Sequence, residues 1–94
     1  MINDTEKYRV VFNTMVDIFD CLIERFIEEC GVCKKSKGQK EHDLDIDILH
    51  GYYSILYHIA GQFEVHDEVF ETNLIEELKL KSSQEIEKLY FSVT

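Results

Sequence analysis

The stretch from Leu44 to Phe63, LDIDILHGYYSILYHIAGQF, leaves a chain of this length few folds to choose from. At about 100° per residue, Leu49, Tyr52, Leu56, Ile59 and Phe63 share one helical face. Ile48, Tyr53, Ile55 and Ala60 widen that face on both sides. The apolar arc takes in roughly half the circumference, against the roughly 100° of an ordinary surface helix. Such a helix needs cover on more than one side. It lies in the middle of a helical fold, or it gives part of its surface to another subunit. The remaining side carries Asp47, Gly51, Ser54, His58 and Gly61, mostly small residues at spacings of 4, 3, 4 and 3. A glycine inside a helix costs about 0.5–1 kcal/mol relative to alanine. The stripe reads as a close approach of another backbone, or as a shallow groove exposing His58. The plainer alternative is a helix that ends at Gly61 and tolerates Gly51.

A second helical pattern precedes it. Tyr8, Phe12, Met15, Phe19, Leu22, Phe26 and Cys30 follow spacings of 4, 3, 4, 3, 4 and 4. They predict an amphipathic helix over about residues 4–30, capped by Asp4 or Thr5 and stopped by Gly31. Its length, near 40 Å at 1.5 Å per residue, is large for so short a chain. Its apolar face is too broad for a coiled-coil seam, so a bundle helix is expected. Residues 31–42 read as a basic loop around KKSKGQK. The central helix is expected over 43–61, with continuation to 71 left open. Asn73–Glu76 and Ser82–Glu85 both fit a capping box and open two short helices, 73–81 and 83–93. The expected fold is all-α: a single domain, 1–94, forming a small bundle of three to four helices led by a long N-terminal helical hairpin. The absence of proline agrees with helices joined by short turns.

Charge narrows the partners. The net charge is −9, made of −4 over residues 1–33, +4 over 34–40 and −9 over 41–94. Such a surface argues against nucleic acid or an anionic membrane and favours another protein with a basic surface. No apolar run is long enough to span a membrane, and MINDTEKYR has no secretory pattern. Three cysteines make no disulfide framework. A reducing, cytoplasmic compartment is the expectation.

Asp17, Asp20, Glu24 and Glu28 lie on the opposite face of the first helix, at spacings of 3, 4 and 4. Like charges one turn apart cost a few tenths of a kcal/mol each. The row is either a solvated face or a docking strip for a basic surface. Imitation of a nucleic-acid backbone would need more such rows. Tyr52, Tyr53, Tyr57, Tyr90 and Phe91 are more aromatics than a small core requires, and some are candidates for an interface anchor.

Metal chemistry has a thinner basis. Cys30-Gly-Val-Cys33 is a C-x-x-C, a spacing that lets two thiolates meet at zinc, with His42 as a third ligand and Cys21 or His50 as a fourth. No second pair of ligands completes the pattern. A redox motif would put a helix start after its first cysteine, whereas this one follows a helix. The histidines stand at 42, 50, 58 and 66. Eight residues rotate a helix by an offset of about 80°, so successive histidines fan around the axis and do not share a metal. Asp47-Ile-Leu-His50 and His66-Asp67 are metal-site fragments without the ligands that would complete them.

These residues point to a non-catalytic, acidic protein-binding module of the inhibitor, immunity or antitoxin kind, requiring no cofactor. Its partner-binding residues are Asp17, Asp20, Glu24, Glu28, Tyr57 and His58, and the chain is expected to form a homodimer. The alternatives are a small zinc protein built on Cys30, Cys33 and His42, and a purely structural dimerisation element.

Overall fold

The apolar rhythm of the first helix does not stop at Cys30. The computed structural model describes residues 4–94 and carries helix α1 from Asp4 to Ser36. Cys33 and Ser36 continue the buried side of Cys30 at three-residue steps, so Gly31 is passed through rather than used as a stop. Nothing lies within 4 Å of a Cβ placed on Gly31. Lys34 and Lys35 occupy the last turn, where cations complement the helix dipole. The connection expected over 31–42 is therefore only 37–41. Gly38, at φ 84°, makes its turn, and Gln39 N–H donates to the Ser36 carbonyl at 2.8 Å.

Helix α2 runs from His42 to Phe70, straight through Gly61. Phe63 and Asp67 extend the inner side of Ala60 and give the helix a reason to continue. It ends at Glu71, in the left-handed conformation at φ 52°, and Thr72 N–H donates back to the Asp67 carbonyl at 3.0 Å. This is a Schellman closure without glycine. A single turn, α3, covers Leu74–Glu77. It closes the same way: Lys79 stands at φ 54°, and Leu80 N–H reaches the Ile75 carbonyl at 2.9 Å. Helix α4 covers Ser83–Val93 behind the Ser82–Glu85 capping box, which is fully formed.

The capping box expected at Asn73 is absent. Asn73 donates to the Glu76 carboxylate instead, and the first N–H groups of α3 go to Asp67 on α2. Its carboxylate accepts from Leu74 N–H at 2.8 Å, Ile75 N–H at 3.2 Å and the Thr72 hydroxyl at 2.7 Å. One turn earlier, Glu64 accepts from Ser83 N–H at 2.8 Å and from the Ser83 hydroxyl at 3.0 Å. Two carboxylates on α2 thus each hold the start of a later helix.

The described residues form an all-α bundle of four helices without a strand. α1 and α2 are antiparallel: Phe12 and Phe19 on α1 both meet Phe63 on α2 edge-on, at 6.2 and 5.4 Å. α4 lies along one side of this hairpin and touches both helices. The core sits where the three meet, around the fully buried Phe19, Phe26, Leu49, Leu56 and Ile86. Each such side chain contributes roughly 1.5–3 kcal/mol by leaving water. The hairpin is longer than its cover. Tyr8 and Met15, expected inside, are exposed, and so are Ile48 and Ile55 on α2.

Candidate functional site

Asp17, Asp20, Glu24 and Glu28 all emerge from the outer side of α1 and are exposed. The buried positions Phe19, Ile23 and Phe26 point the other way, into α2 and α4. None of the four carboxylates makes a hydrogen bond or ion pair with the described residues. The row spans twelve residues, whose eleven steps cover about 16 Å of helix. It is an unneutralised strip along a continuous helix.

Tyr57 and His58 do not join it. They project from the outer half of α2, while Leu56 and Ala60 face α1. The strip and this pair therefore lie on far sides of different helices, and the six residues expected to bind one partner form two separate surfaces. His58 is exposed and makes no hydrogen bond within the described residues. Tyr57 belongs to an aromatic group along the α2–α4 edge. Tyr53 and Tyr90 stack at 4.2 Å with their planes 12° apart, Tyr57 lies 5.6 Å from Tyr53, and Phe91 lies 5.2 Å from Tyr90. His50 ties this group together: its Nδ1 is 3.1 Å from the Tyr90 hydroxyl and its Nε2 is 3.4 Å from the Ser54 hydroxyl. Burial and then the Glu87 carboxylate push the Tyr53 phenol up, so it stays neutral. The aromatics divide between the two roles expected of them. Tyr53 and Tyr90 are half-buried and hold α4 to α2, while Tyr57 and Phe91 face solvent.

The cysteine pair lies inside. Cys30 and Cys33 are buried on the core side of α1, one turn apart. Burial pushes both thiols up, and Glu29 adds to the effect at Cys33. A raised thiol is a poor nucleophile and a poor metal ligand. His42 is turned to the Ser36 hydroxyl, 3.2 Å from its Nδ1. Cys30, Cys33 and His42 are not brought into one metal site, and no group of three His, Cys, Asp or Glu among the described residues is placed to hold an ion. The zinc alternative loses its ligand set because the C-x-x-C lies within a continuing helix whose inner face is core.

His66-Asp67 also has a structural role. Burial alone would push the Asp67 carboxyl up. Hydrogen bonds from Leu74, Thr72 and Ile75, with His66 alongside, outweigh it and hold the carboxyl below its ordinary value. Sequence reasoning missed Asp67 and Glu64 as helix anchors. The only signal was a carboxylate in the last two turns of a helix followed by a short turn, which is common. The close-approach reading of Gly51 and Gly61 fails within one chain, since nothing lies within 4 Å of a Cβ at either.

No helix among the described residues is long and apolar enough to cross a membrane. No protein-family model, curated protein or solved structure matches this chain.

Proposed function

We propose that this chain is a non-catalytic protein-binding module whose α1 strip docks on a basic surface of another protein. The supporting observation is the row itself: Asp17, Asp20, Glu24 and Glu28 are exposed, aligned and without an internal cation. Four unpaired like charges along one helix carry a repulsive cost that a cationic partner removes. A row on a helix also keeps its shape on binding, so little ordering entropy opposes association. Long-range attraction speeds encounter more than it holds the complex. That suits an inhibitor, immunity protein or antitoxin that must find its target quickly.

The test compares affinity capture by the wild-type chain with capture by an Asp20→Lys, Glu24→Lys variant. Both positions are exposed, so circular dichroism and Tm should stay as they are. A protein held by the wild type, released by moderate salt and not held by the variant supports the strip. Capture by the variant at undiminished yield would sink it.

A further inference from the structure

We propose that the side of the α1–α2 hairpin away from α4 is the seat of a second copy of this chain. α4 and the turn before it cover one side, through contacts to His50, Tyr53 and Glu64 of α2. The opposite flank has no cover. On α1 it presents Val11, Met15 and Ile18, and on α2 Ile48 and Ile55, each between 44 % and 59 % exposed. The two rows belong to one surface. Met15 and Ile59 line the same cleft, and Arg25 of α1 extends to Cys21 and to Tyr52 of α2 on that side.

Three observations select a second copy as the occupant. The first is charge. Residues 48–63 contain no Asp, Glu, Lys or Arg, in a chain where 31% of residues are charged. The α2 side of the flank offers a basic partner no carboxylate, whereas the apolar Val11, Met15 and Ile18 of a second copy's α1 fit it. A two-fold copy supplies that surface by symmetry. The second is area. The chain exposes 6920 Å², against about 5,700 Å² expected for a compact monomer of its mass. The excess, about 1,200 Å² per chain, is more than the about 800 Å² per partner that a standard interface buries. The third is register. The rows from Val11 to Leu22 and from Ile48 to Ile59 each span twelve residues on antiparallel helices. A two-fold axis through the flank lays each row against the other helix's row in the second copy, closing a four-helix layer. Gly51, a turn from both Ile48 and Ile55, leaves the open space that such an approach requires. This interface is separate from the acidic strip and stands or falls without it.

Sedimentation equilibrium of the full chain, over a range of concentrations near about 10 µM, reads the outcome. The wild type is expected at twice its chain mass, with a Tm that rises with concentration. Ile18→Asp and Ile55→Asp each place a charge in the contact. They should weaken pairing by about a hundredfold or more while the helical spectrum is retained. Phe91→Asp, on the α2–α4 edge, should leave the dimer intact. If an Asp variant loses its helical signal, Ile55→Gln takes its place under the same criteria. A wild type that sediments as a monomer throughout overturns the proposal. So does a dimer that survives both Asp variants, or one that Phe91→Asp alone dissolves.

Discussion

Glu71 and Lys79 both stand in the left-handed region, at φ 52° and 54°, where glycine is at ease and other residues are not. Each closes a helix through a Schellman hydrogen bond from the next residue. Neither side chain reaches the core, so truncation removes little packing. Glu71→Gly and Lys79→Gly are therefore expected to stabilise the fold by about 1 kcal/mol each, read as a higher denaturant midpoint with an unchanged m value. Equal or lower midpoints would mean that the looser unfolded chain outweighs the relieved backbone. The same two residues explain why helix ends were hard to read. The sequence predicts a stop at Gly31 and leaves a stop at Gly61 open against continuation to 71, yet both glycines are inside helices, while the left-handed stops after α2 and α3 carry Glu and Lys. Glycine marks a stop only when the apolar rhythm ends with it, and here Cys33 and Phe63 carried the rhythm on.

At the scale of elements, α2 organises the rest. It packs on α1 and α4, and its Glu64 and Asp67 anchor the starts of α4 and α3. That a helix ran through this region was legible, because its face repeats at helical spacing. The carboxylate anchors were not, because each bond to a helix-start N–H links residues seven to nineteen apart in sequence, beyond the reach of a local capping pattern. Of the candidate site, the α1 strip was legible for a simple reason: four acids opposite an apolar face have nowhere to go but water. Cys30 and Cys33 misled because their spacing equals one helical turn, which serves packing as well as chelation. The Asp67 anchor has a pH signature. Its bonds favour the charged carboxylate, so its folded pKa lies below its unfolded one. Its stabilising effect is complete above the unfolded value, about 4, and is lost as pH falls through the lower folded value. Asp67→Asn should lower Tm by a few degrees at neutral pH, and the gap to wild type should narrow as pH falls below about 4. A gap that stays constant with pH would show that the carboxylate's charge contributes nothing there.

Over the whole molecule, the elongated outline follows from a hairpin longer than its cover. The chain measures 55 × 28 × 17 Å, and its radius of gyration of 15.9 Å exceeds the roughly 12 Å of a compact domain of this length. The acidic strip lies on the outer side of α1, and the uncovered flank turns away from α4. Pairing through that flank leaves both strips free and sets them on different helices of the assembly. Each helix is about 10 Å across, so the strips stand farther apart than the Debye length of about 8 Å at physiological salt, and their repulsion does little to oppose the pair. The assembly then offers two acidic strips where a single chain offers one. On a surface densely coated with the basic partner, the wild type should dissociate at least tenfold more slowly than the Ile55→Asp monomer, because a second strip engages at high effective concentration. On a sparse coating the two should match, since each strip is unaltered. Asp20→Lys with Glu24→Lys should weaken binding on both. Equal dissociation of wild type and Ile55→Asp at every density would mean that the strips do not act together, whether or not the chains pair.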